Sequence, residues 1–535
     1  MAGLDKLIQS VLVIFTVFLI QCFQQCSAST PIGASIKTSS GLIVGHAGSQ
    51  FPDVSEYLGI PYASPPTGQL RFAAPVPLES KDTIIANAYT TDKLQISSRA
   101  RINCPCENDA FPPYPGSTPQ APKIMSAFLQ QPGRQSEDCL YLNLWTKSHS
   151  SELKPVLVWI HGGRFVLTGA ESPYYDGQAL ASKHDVLLVT INYRLNVFGF
   201  SGAPNLPQNV GLLDQRMAIE WVHRNIKEFG GDPNRITIFG SSAGGASVDF
   251  YSYAWAHKPL VRGLISHSGT AFSYIPNTME QSAKAFYNIS VSLGCGDRSD
   301  DRVLECMRQK PWQDIFNISN SYPQIPSATV PEPVFHPTAD EITVFSDYEK
   351  RAVEGKFARL PYLVTCNNNE AGFYRLVAHA SKITVSDRSW DEFNLAAFTC
   401  PSGETVRYRT AHGVPAWQAR YFGDWENLRL YPGSGSYHGS DLPVLFGNAE
   451  IVSGLPDTND AEKVFSRYMA SAWVAFASDP EHGLEKFGWP KYNPHGKTLV
   501  GLAYGNSTVE FLRPQLFERG CADLKGDVIL GAGAI

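Results

Sequence analysis

Five short segments of the chain consist almost entirely of apolar residues, and each has the length of a β-strand. They are residues 155–160, 185–193, 235–239, 263–268 and 361–365. Strands of a parallel sheet that is covered on both faces read as continuous apolar runs, whereas a strand with one face in water alternates apolar and polar residues. The pattern therefore predicts a buried parallel sheet.

Between the second and third of these segments, the apolar spacing becomes that of a helix. Leu213, Met217 and Trp221 recur every four residues, and Phe229 continues the series. The sequence GGDP at 230–233 is a typical helix stop. A strand, a helix and a further strand in this order form a βαβ unit, so the chain is predicted to be an α/β protein with a central, mostly parallel sheet and helices on both faces.

The first residues have a different pattern, typical of a targeting segment. Lys6 precedes an apolar run at 11–20, and the small residues at 26–28 offer a cleavage site. About ten apolar residues are too few to cross a bilayer. We therefore interpret residues 1–28 as a secretory signal peptide and residues 29–535 as one domain, with a retained signal anchor as the alternative.

Composition and charge restrict the classes of partner. The chain has 535 residues, 43% of them hydrophobic, and a net charge of −6, which gives no indication of a nucleic-acid partner. Three glycosylation sequons, at Asn288, Asn317 and Asn506, agree with export, and so do the eight cysteines that follow the cleavage site. We expect a secreted, extracellular protein with no stable membrane insertion. The sequence does not predict its oligomeric state.

The sequence GSSAG at 240–244 lies between a predicted strand and a predicted helix. A serine nucleophile on the strained turn between a strand and a helix needs small neighbours, because bulky side chains two residues away would collide. This context makes Ser242 the candidate nucleophile. The backbone N–H of Ala243, directly after it, is then a candidate oxyanion donor.

A second glycine-rich segment, HGGRF at 161–165, follows the first predicted strand. Such a loop can turn backbone N–H groups toward the oxyanion that forms when a serine attacks a carbonyl. We expect the N–H groups of Gly163 and Arg164 to be the donors. An ordinary tight strand-to-loop turn is the alternative interpretation.

Several longer motifs resemble the type-B carboxylesterase and cholinesterase branch of the α/β-hydrolases, in particular its secreted fungal members. They are YLGIPYASPPTGQLRFAAP (57–75), SEDCLYLNLW (136–145), HGGRF (161–165), NVGLLDQRMAIEWV (209–222), FGSSAGGASV (239–248) and YHGSDLPVLFG (437–447). The resemblance spans nearly all of the mature chain. It implies an α/β-hydrolase fold with a gorge-type active site, a small-molecule carboxylic ester as substrate, and neither a cofactor nor a metal.

The resemblance also implies a Ser-Glu-His triad. Glu370, in NNNEAGF, occupies the position of the family's acid, and His438, in GSYHGSD, occupies that of its base. The chain order Ser242, Glu370, His438 is the order expected of this fold. By the same resemblance, Ser268 lies beside the acid. Arg71 and Glu137 are implied to pair beneath the sheet.

Disulfide pairings are likewise implied by the resemblance. The pairs are Cys295 with Cys306 and Cys139 with either Cys104 or Cys106, and Cys400 with Cys521 is a further candidate. Cys366, close to Glu370 in the sequence, is expected to be a buried free thiol.

Three departures from the family pattern affect the predicted pocket. Arg164 replaces a glycine, so its side chain is expected along the pocket wall, with an ion pair to a neighbouring acid as the alternative. Ser241 stands where cholinesterases have a glutamate, and no tryptophan lies between Cys104 and Cys139, so we expect no preference for choline esters. The 68 residues from Glu370 to His438 are fewer than is usual, which predicts a more open entrance.

The function predicted from the sequence is therefore hydrolysis of carboxylic esters through an acyl-enzyme on Ser242. Two alternatives come from other classes. An acyltransferase or a lactone-forming enzyme of secondary metabolism would use the same residues with a different nucleophile. A catalytically inactive, cholinesterase-like adhesion protein is the other, but such proteins lose triad residues and carry a membrane anchor.

Overall fold

The computed structural model describes residues 31–86, 102–105, 114–129, 134–147, 152–297, 301–325, 327 and 329–524. The predicted signal peptide at 1–28 and Cys106 lie outside the described residues. The strands of the described ranges are β1 (Ser35–Thr38), β2 (Gly41–Val44), β3 (His46–Ala47), β4 (Val54–Pro61), β5 (Thr83–Ile85), β6 (Ile102–Asn103), β7 (Arg134–Gln135), β8 (Tyr141–Lys147), β9 (Lys154–Ile160), β10 (Leu187–Ile191), β11 (Gly231–Ser241), β12 (Gly263–His267), β13 (Tyr362–Asn367), β14 (Ala416–Tyr421), β15 (Leu499–Leu502) and β16 (Val509–Leu512).

The α-helices of the same ranges are α1 (Ala121–Leu129), α2 (Gln178–Lys183), α3 (Asn196–Gly199), α4 (Val210–Asn225), α5 (Ala243–Ala254), α6 (Met279–Ser292), α7 (Asp301–Gln309), α8 (Trp312–Ser321), α9 (Tyr348–Val353), α10 (Ala371–Ala380), α11 (Asp387–Asn394), α12 (Cys400–Ala411), α13 (Leu442–Phe446), α14 (Asp460–Ser478), α15 (Gly483–Lys486) and α16 (Gln515–Glu518).

An 11-stranded sheet forms the centre of the molecule, in the order β16-β15-β14-β13-β12-β11-β9-β10-β8-β4-β3. Every neighbouring pair from β15 to β10 in this order is parallel. The strands outside this block, β16 at one end and β8, β4 and β3 at the other, are antiparallel to their neighbours. The predicted fold class, a mostly parallel sheet of the α/β type, is confirmed.

Both faces of the sheet are buried, which is the physical reason for the continuous apolar runs. Along β9, Val156, Val158 and Ile160 belong to one core cluster, while Leu157 and Trp159 belong to the other. Helices α4 and α5 contribute apolar residues to the first cluster, and α13 and α14 contribute to the second. The sheet is therefore packed between helices, as the apolar pattern predicts.

The start of β11 differs from the sequence prediction. The predicted strand begins at 235, whereas the strand in the structure begins at Gly231, which pairs with Lys154 of β9. Helix α4 continues into a 3-10 turn, Ile226–Phe229, which ends at Gly230 with φ 85°. The pairing register shifts between Gly231 and Ile236. The helix therefore stops at the predicted place, but the strand follows with no intervening loop.

Three disulfides join the described residues: Cys104–Cys139, Cys295–Cys306 and Cys400–Cys521. Of the two partners left open for Cys139, the structure pairs Cys104. Cys366 is a buried free cysteine, and burial raises the pKa of its thiol to about 11. Within the described ranges, no helix combines the length and the apolar character needed to span a membrane.

Candidate active site

Ser242 stands alone between the last residue of β11 and the first residue of α5. Its backbone has φ 60° and ψ −125°, a conformation that L-residues rarely adopt. The Ser242 N–H donates to the His267 carbonyl at 2.8 Å, and the Ser242 carbonyl accepts from the Ala246 N–H at 2.9 Å. These bonds hold the residue at the top of a sharp strand-to-helix turn, as the motif predicts.

The glycines around Ser242 are explained by close packing of this turn against β9. The Ile160 carbonyl oxygen of β9 would lie 2.7 Å from a Cβ on Gly240 and 2.0 Å from a Cβ on Gly244. Neither distance leaves room for a side chain. The small residues therefore let the helix begin directly against the central strand.

The loop after β9 has three consecutive residues with positive φ: Gly163 at 98°, Arg164 at 55° and Phe165 at 62°. The Gly163 carbonyl accepts from the N–H of Val166 at 2.9 Å, which closes a tight turn. Gly163, Arg164 and Ser242 line one cavity. The Ala243 N–H is at the start of a helix, where N–H groups have no intrahelical acceptor. The three predicted oxyanion donors are thus all on segments that border Ser242.

Glu370 and His438 are brought together by β13 and the loop that precedes α13. The His438 Nδ1 lies 2.7 Å from Glu370 Oε2. Glu370 Oε1 accepts from the Ser268 hydroxyl and from the Asn367 N–H, both at 2.6 Å. The carboxylate is 1% exposed and the imidazole 9%. In the tautomer that donates this hydrogen bond, the proton is on Nδ1 and Nε2 is the nitrogen that can accept one.

The loop that carries His438 is fixed by a second set of hydrogen bonds. The Asn367 Nδ2 donates to the Tyr437 carbonyl at 2.6 Å and to Asp441 Oδ1 at 3.1 Å. The other oxygen of Asp441 contacts His267 Nδ1 at 2.9 Å, and the indole of Trp473 donates to His267 Nε2 at 2.9 Å. Asn367 therefore connects the acid to the histidine loop, a role that no sequence motif indicated.

The cavity that Ser242 and His438 share encloses about 680 Å³, part of it open to solvent. Its walls are mainly apolar, with Phe128, Leu129, Leu167, Phe373, Val377 and Leu442 among them, and no tryptophan of the described chain lines it. The Tyr374 ring centroid lies 5.1 Å from that of His438. Burial raises the pKa of the Tyr374 hydroxyl well above its ordinary value, while a hydrogen bond with Ser242 acts in the opposite direction.

The Arg164 side chain leaves the cavity wall and reaches residues far along the chain. Its Nη2 donates to the Pro331 carbonyl and lies 3.7 Å from Glu332 Oε2. Of the two alternatives for this side chain, the structure shows the ion pair, although Arg164 also lines the cavity. Burial raises the pKa of Glu332 to about 7, against the opposing effect of Arg164. Sequence reasoning missed Glu332, because no motif surrounds it.

Comparison with known proteins identifies the family. The model of the Carboxylesterase family matches residues 33–396, well over half of the chain. This chain belongs to the carboxylesterase family. The matched range includes Ser242 and Glu370 and ends before His438, whose contact with Glu370 comes from the structure.

Relatives of this carboxylesterase match over most of their length. Secreted lipase 5 of Gibberella zeae is 34% identical, over 88% of this chain and 90% of that protein. Chlorogenic acid esterase of Aspergillus niger is 33% identical, over 90% and 92%. Para-nitrobenzyl esterase of Bacillus subtilis is 30% identical, over 84% and 91%. The protein is therefore a carboxylic ester hydrolase, from a family that acts on small esters.

The other residues predicted for this carboxylesterase lie outside the cavity. Arg71 and Glu137 form a buried pair through two contacts of 2.6 Å. Asn317 is exposed on α8, whereas Asn288 on α6 is half-buried and donates to the Tyr322 hydroxyl. The side chain of Asn506 lies outside the described part of the chain. Among the residues that the structure describes, no group of three or more His, Cys, Asp or Glu side chains is arranged to hold a metal ion.

Proposed function

We propose that this carboxylesterase cleaves esters through an acyl-enzyme on Ser242, with His438 as general base and Glu370 as the acid that orients it. The observation that carries the proposal is the shared cavity of Ser242 and His438, with His438 Nδ1 held 2.7 Å from Glu370. This is the arrangement of nucleophile, base and orienting acid that serine hydrolases require.

In the first half of the reaction, His438 Nε2 accepts the Ser242 proton while the serine oxygen attacks the ester carbonyl carbon. The carbonyl oxygen becomes an oxyanion, which the N–H groups of Gly163, Arg164 and Ala243 stabilise. When this intermediate collapses, the bond to the alcohol oxygen breaks, and the imidazolium gives its proton to the leaving alcohol. Glu370 remains ionised and stabilises the imidazolium.

In the second half, water replaces the alcohol. His438 removes a proton from the water as it attacks the acyl carbon, and the same N–H groups stabilise the second oxyanion. The bond to the Ser242 oxygen then breaks, the serine regains its proton from His438, and the carboxylic acid leaves. Hydrolysis and acyl transfer differ only in whether water or another alcohol performs this attack.

The walls of the cavity support neutral esters as substrates. Apolar and aromatic side chains dominate the lining, and Ser241 contributes no charge where cholinesterases have a glutamate. Recognition of a quaternary ammonium depends on an aromatic face, with tryptophan the most effective. We therefore assign this enzyme to esters of uncharged alcohols and acids rather than to choline esters.

Export to the extracellular space is the second part of the proposal. The three disulfides of the described chain support an oxidising compartment. The relative from Gibberella zeae is named a secreted lipase. The signal-like sequence at 1–28 is the third support.

The test is the variant Ser242→Ala, assayed with p-nitrophenyl esters of graded acyl length. We expect kcat to fall about 10⁴-fold or more while the protein stays folded. A phosphonate inhibitor should label the Ser242 peptide in the wild type, as read by mass spectrometry. The matched control is Ser471→Ala, because the Ser471 hydroxyl bonds the Arg467 carbonyl within α14, away from the cavity.

Two outcomes would contradict the proposal: substantial esterase activity in Ser242→Ala, or a label on a different residue. Adding alcohols as acyl acceptors separates the two reaction types. A hydrolase gives mainly free acid at low acceptor concentration, whereas an acyltransferase gives mainly the new ester.

A further inference from the structure

The backbone and the side chain of Arg164 lie in two different parts of the molecule. Its backbone lies in the loop that borders Ser242, in the left-handed region with φ 55°. Its guanidinium reaches the segment at 331–332, where it donates to the Pro331 carbonyl and pairs with Glu332. The side chain thus connects the loop of the oxyanion donors to a distant part of the chain.

We propose that Glu332 is a positioning residue for catalysis: through its ion pair with the Arg164 side chain, it holds the loop so that the N–H groups of Gly163 and Arg164 stay aimed at the oxyanion. This inference rests on the proposed function, because it requires the N–H groups to act on an acyl-enzyme intermediate.

The loop needs external support because of its backbone. Non-glycine residues in the left-handed region are strained and persist only where the surroundings fix them. Phe165, the neighbour of Arg164, is fixed by packing, with ring centroids 5.1 Å from Phe200 and 5.4 Å from Tyr274. Its carbonyl also accepts from the Asn196 N–H at 2.8 Å. For Arg164, the corresponding support is the contact of its guanidinium with the segment at 331–332.

The other end of the ion pair is itself fixed. The Glu332 N–H donates to the Ile325 carbonyl at 2.8 Å, and the Ile325 N–H donates back to the Glu332 carbonyl at 2.9 Å. Three residues later, Phe335 is buried in the apolar cluster that α6, α7 and α8 form outside the sheet. The backbone of Glu332 is therefore held in place independently of Arg164, and the ion pair links the Arg164 side chain to this fixed segment.

Several titratable side chains of the described chain surround Glu332, and Arg164 is the one that carries a positive charge. The hydroxyls of Tyr274 and Tyr374 have pKa values raised well above the ordinary value by burial, so both are neutral. Burial lowers the pKa of His336 to about 3, so it too is neutral between pH 5 and 9. The ion pair is complete when Glu332 is ionised, and it loses its ionic part when Glu332 is protonated.

The protonation of Glu332 provides a test, because a purely structural contact would not make kcat depend on pH in this way. The pKa of Glu332 is raised to about 7, so the carboxylate is ionised above that pH and protonated below it. In the wild type, kcat should fall on the acid side through protonation of two groups, Glu332 and the base His438. In Glu332→Gln, which stays neutral at every pH, the fall should follow His438 alone.

We expect kcat of Glu332→Gln to be about 10-fold below the wild type near pH 8.5 and nearly equal to it near pH 5.5, with little change in KM. The variant Arg164→Gln should lose the same pH-dependent component, and the double variant should lose no more than Arg164→Gln alone. A matched control is Asp424→Asn, which removes the carboxylate from the pair of Asp424 with Arg429 away from the cavity. We expect its pH profile to match the wild type.

A loss in Glu332→Gln that is the same at every pH would overturn the inference, since it would show a structural contact only. Additive losses in the double variant would also overturn it. If Glu332→Gln fails to fold, the wild-type acid limb still decides, because protonation of Glu332 should add a step of about 10-fold in kcat near pH 7, and a limb fitted by a single group without that step would overturn the inference. Inhibitor labelling of Ser242 is measured in parallel, so that failure of the proposed function shows as an unlabelled serine.

Discussion

The variant Ser268→Ala is expected to lower kcat by about 5- to 30-fold and to leave KM unchanged. The Ser268 hydroxyl donates to Glu370 Oε1 at 2.6 Å, on the carboxylate whose other oxygen holds His438. Removing this donor weakens the stabilisation of the carboxylate. In the proposed mechanism, the effect is greatest while His438 is an imidazolium, because the Glu370 carboxylate then stabilises its positive charge.

The magnitude follows from the number of donors on the carboxylate. A hydrogen bond to a charged group contributes about 1.5–3 kcal/mol. The Asn367 N–H, also 2.6 Å from Glu370 Oε1, remains in the variant and stabilises the same oxygen. Part of the loss also applies to the ground state, in which the same hydrogen bond is present. We therefore expect about 1–2 kcal/mol to appear in the barrier, which corresponds to about 5- to 30-fold in rate.

The assay measures kcat and KM with a p-nitrophenyl ester, beside a thermal melt that checks the fold. The control is Ser266→Ala, on the strand β12 that directly precedes Ser268, because the Ser266 hydroxyl bonds the Gly245 carbonyl and the Tyr362 hydroxyl instead of Glu370. Less than a twofold change in kcat for Ser268→Ala would refute the reasoning, because the hydrogen bond would then not stabilise the transition state. A rise in KM alone would refute it as well.

Three further predictions concern specificity, stability and export. A choline ester should show less than about a tenfold advantage in kcat/KM over its uncharged dimethylbutyl isostere, and a larger one would contradict the neutral cavity. Replacing Cys400 and Cys521 by serine opens a loop of 121 residues and should lower the free energy of unfolding by up to about 5 kcal/mol; an unchanged guanidinium midpoint would contradict this. In the secreted protein, peptide mapping should find Asn317 glycosylated to a greater extent than Asn288, because Asn317 is exposed and the Asn288 amide is engaged by Tyr322.

The sequence predicts the central sheet well because a strand buried on both faces leaves a continuous apolar run. This holds for β9, β10, β12 and β13, whose predicted and observed bounds differ by at most two residues at either end. The sequence does not predict the start of β11, because residues 231–234 are a glycine, a proline and two polar residues, the last three of them half-buried or exposed, and their pairing with β9 is irregular. The strained turn at Ser242 was predicted because its glycines are required locally.

The contacts that surround the candidate triad were less accessible to sequence reasoning. Asn367 joins Glu370 to the His438 loop across 70 residues or more, and nothing next to it in the sequence distinguishes that role from a capping asparagine. Glu332 meets Arg164 across 168 positions of the sequence, and no motif surrounds Glu332. Such pairs depend on tertiary packing, whereas the turn at Ser242 depends on its immediate neighbours.

The backbone of Ser242 sets activity against stability at a single position. With φ 60° and ψ −125°, this residue occupies a conformation that glycine adopts freely and that costs any other residue of the order of 1–3 kcal/mol. A glycine there would relieve this strain and would remove the hydroxyl that we propose as the nucleophile. Selection of variants for heat resistance alone would therefore favour inactive molecules at this position, so a thermostability screen of this enzyme needs an activity readout at every round.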